Sequence, residues 1–230
     1  MHLKTEEIIV FAGYRDWALS ILENLQKNCK NIVFIHVETE ASLYTVLAAV
    51  QVDAVFLAGW SWILPTSFLQ NNFVIGLHPS DLPNYAGGSP LQHQILDGLT
   101  KTKMSLFEIT PLLDHGQVFL KANLSLEGHM SDIFASMVES GSGLLIEAVT
   151  KLDNLKESSY EGTAEPLESI EIKKRLKPES SCLNKAEIPT LSTRDLYNKI
   201  RAREKPYPNV YIEDEVGRLY FRSVEFDPKA

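Results

Sequence analysis

The sequence contains few of the residues that mark several common protein classes. Among its 230 residues are two cysteines, Cys29 and Cys182, which form neither a CxxC pair nor a disulfide framework, so we expect a reducing, cytoplasmic environment. The net charge of −8 argues against a nucleic-acid partner, because nonspecific nucleic-acid binding depends on clustered lysine and arginine. Apolar runs are short, and the first is followed by charge, so neither a signal peptide nor a membrane-spanning segment is predicted.

Signature motifs of several enzyme classes are also missing. GxGxxG and GxxxxGK[ST] do not occur, which disfavours a plain NAD or ATP enzyme. No GxSxG elbow occurs and neither cysteine adjoins a histidine, which disfavours covalent catalysis. Four of the histidines, His78, His93, His115 and His129, lack the short spacing of metal ligands, so we predict no metal site.

Positive charge is concentrated in one short run, Lys173-Lys174-Arg175 with Lys177. Most such runs are solvated surface, which is the simpler interpretation. The alternative is an electrostatic grip on a phosphate or a carboxylate, and the sequence leaves both open.

The first half of the chain alternates apolar runs with helical periodicity. Strands are predicted at 8–12, 31–37, 54–58 and 73–77, with helices between them around 17–25 and 42–50. Continuous apolar strands that alternate with helices predict an α/β fold, with a Rossmann-like parallel sheet covered on both faces.

The second half is predicted to add a strand pair and several helices. A helix begins at Pro90 with Ser89 as its N-cap, strands follow at 104–109 and 118–126, and a long apolar helix begins near Ser131. A helix at 194–203 and a strand pair around 210 and 219 close the chain. We divide the sequence into a catalytic domain at 1–153 and a small C-terminal subregion at 154–230.

The residues with useful chemistry lie in loops after the predicted strands. In an open α/β sheet, ligands bind beyond the carboxyl ends of the strands, where we expect the loops 13–15, 59–62, 76–89 and 112–116. His78 and Asp114 are the titratable pair there, and a histidine held by a carboxylate can accept or donate a proton near neutral pH. A structural histidine and a turn-closing aspartate are the alternative.

The run HPSDLPNYAGGSPLQHQIL, followed by LLDHGQV, resembles the formyltransferases that use N10-formyltetrahydrofolate. This family includes methionyl-tRNA, glycinamide ribonucleotide and sugar N-formyltransferases, and the resemblance spans about residues 8–150. KKRLKPESS and RAREKPYPN resemble later segments of sugar and tRNA members. The resemblance implies a Rossmann-like fold, formyl transfer to a primary amine, and catalysis by His78 and Asp114.

The resemblance also implies binding residues. Those expected at the folate are Ser80, Asp81, Leu82 and Pro83, with Trp60, Trp62, Ile63, Leu64, Leu112 and Leu113 framing the pterin. The acceptor side is assigned Tyr14, Arg15, Tyr85, Gly88 and Ser89. Arg15 is the candidate for a diphosphate, because a guanidinium fork matches phosphate geometry, although a plain surface arginine is the alternative.

One position departs from the family pattern. Members usually carry Asn-x-His, whose asparagine helps to hold the formyl oxygen, whereas this sequence reads Gly76-Leu77-His78. Three explanations compete: another donor or a water replaces the amide, the chain belongs to a GLHPS subgroup, or the activity has been lost. GLHPS and FAGYRDWA favour the subgroup and are most like the pseudaminic-acid pathway N-formyltransferases.

We therefore expect a homodimer that formylates a nucleotide-linked 4-amino-4,6-dideoxy sugar, with UDP as the expected nucleotide. The alternatives are a non-catalytic folate- or sugar-nucleotide-binding relative and a glycinamide ribonucleotide-type enzyme.

Overall fold

A computed structural model describes residues 6–161 and 171–227 of the chain. Its main sheet has six strands in the order β2-β1-β3-β4-β5-β6. These are β1 Glu7–Ala12, β2 Ile32–Val37, β3 Ala54–Ala58, β4 Val74–His78, β5 Lys101–Glu108 and β6 Val118–Ser125. The predicted α/β architecture is confirmed, and every predicted strand is present within a few residues of its expected position.

The sheet is parallel only in its first four strands. β1 pairs with β2 and β3, and β3 pairs with β4, all in parallel, whereas β5 runs antiparallel to both β4 and β6. Ile75 pairs with Glu108 and His78 pairs with Ser105, so β5 ends beside the start of β4. The sequence analysis placed the loop after β5 at the carboxyl ends of the parallel strands. It begins instead at their amino ends, and it must turn back along the sheet to reach His78.

Seven α-helices occur in the described residues. Their bounds are α1 Asp16–Asn28, α2 Glu40–Ala49, α3 Thr66–Leu69, α4 Pro90–Leu96, α5 Met130–Thr150, α6 Leu152–Glu161 and α7 Thr193–Arg201. α3 and α6 were not predicted, since α3 is one turn long and α6 is rich in polar residues. The domain boundary predicted after residue 153 lies inside α6.

The long helix α5 packs against one face of the sheet. By length and composition it could also cross a membrane, which differs from the sequence prediction that no run is long enough. Ile133, Met137 and Leu144 are buried in the large core cluster that also contains residues of β1, β4 and β5. A core helix of a globular fold has this same composition, and the packing explains the apolar stripe.

Residues 171–227 pack onto the main body and add a second, two-stranded sheet. Its strands are β7 Val210–Glu213 and β8 Arg218–Phe221, which pair in antiparallel fashion as predicted. Val210 is buried in a small cluster with Leu183 and Ile200 of the preceding segments. The buried Arg201 donates to the carbonyl oxygens of Leu126 (2.6 Å) and Gly128 (2.9 Å), which ties α7 to the turn before α5.

Candidate active site

His78 is the last residue of β4 and is 7% exposed. Because side chains alternate along a strand, His78 shares a face with Gly76, away from the buried Ile75 and Leu77 that pack into the large core. Its Nε2 lies 3.0 Å from the carbonyl oxygen of Tyr85. A carbonyl can only accept, so Nε2 carries a proton and Nδ1 is the nitrogen left free for chemistry.

Asp114 faces that free nitrogen. Its Oδ2 lies 3.6 Å from His78 Nδ1 and accepts a hydrogen bond of 2.7 Å from the backbone N–H of Gly87. Asp114 has a φ of 55°, a left-handed conformation that aspartate tolerates better than most residues. The loop after β5 thus brings Asp114 to His78, the residue with which sequence analysis paired it, although the two chain segments start from opposite ends of the strands.

The pair can move a proton. With Nε2 protonated, uptake of a second proton at Nδ1 makes an imidazolium, which the nearby carboxylate stabilises. Both side chains are nearly buried, so this interaction is screened less than it would be at the surface. Within the described ranges, no group of three or more His, Cys, Asp or Glu residues could hold a metal ion.

Aromatic side chains after β1 and β3 form a second part of the site. The rings of Trp60 and Trp62 lie 4.8 Å apart, Tyr14 packs edge-on to Trp62 at 5.3 Å, and the Tyr14 hydroxyl lies 2.6 Å from Ser61 Oγ. Arg15 lies over the Tyr14 ring at 5.2 Å. Residues assigned from sequence to the folate and to the acceptor therefore form one cluster.

Apolar surface is exposed at the predicted pterin loops. Ile63 is 80% exposed, and Trp62, Leu112 and Leu113 are also exposed to a large degree. The indole nitrogen of Trp60 is buried and has no hydrogen-bond partner among the residues that the structure describes. Exposed apolar groups of this size are what a flat heteroaromatic ligand would cover.

Three residues predicted at the folate point inward instead. Leu64 and Leu82 are 4% and 2% exposed, and Ser80 is fully buried with its hydroxyl donating to the carbonyl of Asn84. Contact between these residues and a ligand would have to use the backbone. Asp81 forms an ion pair with Lys121, which also donates to the carbonyl of Leu82, and Pro83 is exposed.

The glycine-rich loop is held by the basic run. Gly87 pairs with Lys173 in a parallel bridge, and Gly88 donates to the Lys173 carbonyl at 2.8 Å. A Cβ at Gly88 would lie 2.6 Å from Arg175 Cα, so only glycine permits this approach. Lys173 also lies over the Tyr85 ring at 5.7 Å and bonds to Glu171.

Ser89 occupies the N-cap position of α4 but does not cap the helix. It has a φ of 56°, and its hydroxyl accepts a hydrogen bond from the N–H of Leu176 at 3.0 Å. The Tyr85 hydroxyl is likewise engaged, since it donates to Asp97 at 2.9 Å. The polar groups of both predicted acceptor residues therefore already have protein partners.

Gly76 is closed off by an apolar side chain. A Cβ at this position would lie 2.7 Å from Ile109 Cδ1 and 3.5 Å from Phe107 Cε1. Ile109 therefore occupies the volume beside Gly76, and it brings no hydrogen-bond donor.

The sequence analysis did not predict the set of polar residues that acts on Tyr207, which is formed by Arg15, Gln92 and Arg175. Burial raises the pKa of the Tyr207 hydroxyl, while the charges of Arg15 and Arg175 and a hydrogen bond from Gln92 oppose that rise. Gln92 is 3% exposed, and its Oε1 has no hydrogen-bond partner in the described part of the chain. RAREKPYPN was noted only as a resemblance, and nothing in its spacing indicates that Tyr207 approaches Arg15.

The chain is similar to curated proteins that act in formyl transfer. It is 27% identical over 169 residues to methionyl-tRNA formyltransferase of Mycoplasmopsis pulmonis, covering 72% of this chain and 56% of that protein. It is also 26% identical over 172 residues to the enzyme of Ligilactobacillus salivarius, covering 73% and 52%. The chain thus spans about half the length of the curated relatives it matches.

Solved structures share the fold. Methionyl-tRNA formyltransferase from Clostridium thermocellum superposes with a TM-score of 0.79 at 24% identity, covering 96% of this chain and 94% of that one. A 4-N formyltransferase from Francisella tularensis gives 0.74 at 16%, covering 98% and 100%. HypX from Aquifex aeolicus in complex with tetrahydrofolic acid gives 0.67 at 17%, covering 89% and 35%.

The formyl transferase family model matches residues 19–149, which include both β4 and the loop that carries Asp114. This match covers more than half of the chain, and the chain belongs to the formyl transferase family.

Proposed function

We propose that the protein transfers a formyl group from N10-formyltetrahydrofolate to the amine of a nucleotide-linked 4-amino-4,6-dideoxy sugar, with UDP as the expected nucleotide. The observation that carries the formyl-transfer part is the contact between His78 and Asp114, in a loop that also exposes the apolar side chains of Leu112 and Leu113. The family relationship supports the reaction type, and the pseudaminic-acid-type pathway rests on the GLHPS resemblance.

The side chains suit the proton movements of acyl transfer. The acceptor amine attacks the formyl carbon, and a proton must leave the attacking nitrogen. His78 Nδ1 takes this proton, Asp114 stabilises the imidazolium, and the same proton passes to N10 of the departing tetrahydrofolate. The Tyr85 carbonyl keeps the imidazole oriented throughout, since it holds the opposite nitrogen.

The residues present fit a folate co-substrate. We place the pterin against Trp60, Trp62 and Ile63 on one side and Leu112 and Leu113 on the other. These side chains are mostly exposed in the free protein, and burying apolar surface contributes about 25 cal/mol per Å².

The acceptor diphosphate is placed at Arg15 and Arg175. The positive charges of both guanidinium groups oppose the rise that burial causes in the pKa of the Tyr207 hydroxyl, and neither group forms an ion pair with a carboxylate within residues 6–161 and 171–227. Two unpaired arginines match a diphosphate, because each can donate in parallel to two phosphate oxygens. Tyr14, in contact with Arg15, is available to stack on the base or the sugar.

The test is a mass-spectrometric assay of formyl transfer. The protein is incubated with N10-formyltetrahydrofolate and a panel of UDP-, dTDP-, GDP- and CMP-linked amino sugars, and a gain of one formyl group is sought. Product with a UDP-linked 4-amino-4,6-dideoxy sugar is expected. No product with any amino sugar would reject the proposal, provided that the protein shows a cooperative thermal melt.

Methionyl-tRNA is the second candidate acceptor, because the curated relatives named above act on it by their names. The same assay includes methionyl-tRNA and glycinamide ribonucleotide as further arms. The acidic net charge favours the small acceptor, since tRNA binding gains most of its affinity from basic residues. Folate binding without turnover of any acceptor would favour the non-catalytic relative.

The substrate model also predicts location and assembly. A cytoplasmic location fits the two free cysteines, Cys29 and Cys182. We propose a homodimer, and light scattering coupled to size-exclusion chromatography would test it.

A further inference from the structure

The C-terminal part of the chain contains a cavity of about 510 Å³. Its lining comes from the turn before Ser181, the loop after α7 and the β7–β8 hairpin. The residues are Pro178, Glu179, Lys205, Pro208, Asn209, Tyr211, Arg218, Tyr220 and Arg222. None of them bonds to His78, Asp114 or Arg15 in the described part of the chain, so the proposed reaction leaves this cavity unused.

The hairpin presents this lining because its two faces differ. Val210, Ile212 and Phe221 point toward α7 and form the small apolar cluster. Strand alternation then places Tyr211, Arg218 and Tyr220 on the opposite face, with Tyr211 directly across from Tyr220. Arg222 continues the same alternation just beyond the end of β8.

The cavity concentrates positive charge in an acidic protein. Three lining residues are basic, namely Lys205, Arg218 and Arg222, whereas Glu179 is acidic, and the whole chain carries −8. Arg218 is paired with Glu213 at 2.7 Å. Lys205 and Arg222 have no carboxylate partner among the described residues, so both remain available to an anion.

An aromatic surface lies beside these two cations. The rings of Tyr211 and Tyr220 are 5.5 Å apart, and Arg218 lies over Tyr211 at 4.8 Å. Tyr220 is 48% exposed, so its ring retains free surface for a planar group. An exposed ring next to unpaired cations fits a ligand with one flat aromatic part and one anionic part.

We propose that this cavity binds a nucleoside phosphate, with the base against Tyr220 and the phosphate at Lys205 and Arg222. The volume matches one nucleotide, since ligand pockets commonly measure about 300–1,000 Å³. A mononucleotide is favoured over a nucleic-acid strand, because the net charge of −8 repels a long polyanion.

Equilibrium dialysis with UMP and AMP tests the proposal. The measurements use the full chain carrying Arg15→Gln, which weakens nucleotide binding at the proposed acceptor site and isolates the second cavity. In that background, Arg222→Gln and Tyr220→Leu should each weaken binding by about tenfold, whereas Tyr220→Phe keeps the ring and should bind normally. Lys101→Gln, a change at an exposed lysine of β5, serves as the matched control and should have no effect.

Uridine and inorganic phosphate are the probes for the two halves of the ligand. Each should bind far more weakly than UMP, since each meets only one part of the cavity. Equal binding of inorganic phosphate and UMP would overturn the proposal, as would mononucleotide binding that Arg222→Gln and Tyr220→Leu leave unchanged. Two further outcomes would overturn the proposal. One is tight binding of a single-stranded RNA without binding of a mononucleotide. The other is an Arg222→Gln variant that changes its oligomeric state but still binds UMP.

Discussion

Ile109 lies where a side chain at position 76 would have to go, with its Cδ1 2.7 Å from a Cβ built on Gly76. The family's asparagine therefore has no room here unless Ile109 moves. The close contact is with the terminal methyl group of Ile109, the residue that begins the loop carrying Asp114, so this side chain must rotate or shift to admit an asparagine.

Gly76→Asn should consequently lower formyl-transfer activity. Overpacking a filled site typically costs about 1–3 kcal/mol, and the side chain that must yield here belongs to the residue before the loop of Asp114. Adding Ile109→Ala should recover activity, because it opens the space that the amide needs. The measurement is kcat/KM of the single and double variants; full activity in Gly76→Asn alone would show that Ile109 moves freely.

Asp114→Asn should reduce turnover by about 10²–10⁴-fold, since it removes the charge that stabilises protonated His78. Asparagine tolerates the left-handed backbone and can still accept from the N–H of Gly87, so folding should be retained. Asp114→Ala loses the hydrogen bond as well and should melt earlier. Single-turnover kinetics with circular dichroism check both, and unchanged turnover in Asp114→Asn would remove Asp114 from the mechanism.

Gly88→Ala should separate the basic run from the glycine-rich loop, because the new Cβ would meet the backbone of Arg175 at 2.6 Å. We expect a loss of about 1–3 kcal/mol in the free energy of unfolding, measured by urea denaturation. Gly143→Ala is the matched control. Gly143 lies inside α5, and apart from the helix's own nearby backbone no described atom lies within 4 Å of the new Cβ, so alanine should stabilise by about 0.5–1 kcal/mol.

Glu204→Ala should destabilise the start of α5. The buried Glu204 carboxylate accepts from the backbone N–H of Met130 at 3.0 Å and contacts His129 Nδ1 at 2.8 Å. Hydrogen bonds to charged groups contribute about 1.5–3 kcal/mol each, so a loss of this order is expected in urea denaturation. Glu147→Ala removes only an exposed pair with Lys151 and should cost less than about 1 kcal/mol.

Tyr85→Phe should change how stability depends on alkaline pH. Burial, followed by the hydrogen bond and charge of Asp97, raises the pKa of Tyr85 from about 10 to about 12. The folded state thus favours the neutral hydroxyl, and this contribution is complete below pH 10 and lost as the pH rises toward 12. The free energy of unfolding should fall less steeply between these values in Tyr85→Phe, and identical slopes would contradict the assignment.

Much of this fold follows from the periodicity of the sequence. Apolar runs of five or six residues define β1 to β4, and the stripe along α5 marks its core face. The antiparallel direction of β5 could not be predicted from the sequence. The pattern of apolar residues in a strand is the same whether the strand runs parallel or antiparallel to its neighbour. α6 was missed because residues such as Lys156 and Glu157 give it no long apolar stripe.

The sequence predicted some residues of the candidate site and missed others, because contacts between residues distant in sequence leave no local pattern. His78 and Asp114 were found because their motifs are local, and the resemblance added their roles. Ile109, Gln92 and Tyr207 carry no local signal, since each matters only through a neighbour distant in sequence. Ser80 and Leu82 lie in a diagnostic motif, yet burial takes their side chains out of reach.

The acceptor that holds the His78 ring is a main-chain carbonyl, that of Tyr85. A point mutation cannot delete a carbonyl, so the tautomer of this imidazole is inherited with the path of the chain and not with any side chain. The residues around the histidine can therefore be exchanged to suit a different amine substrate, while the nitrogen that does the chemistry stays the same.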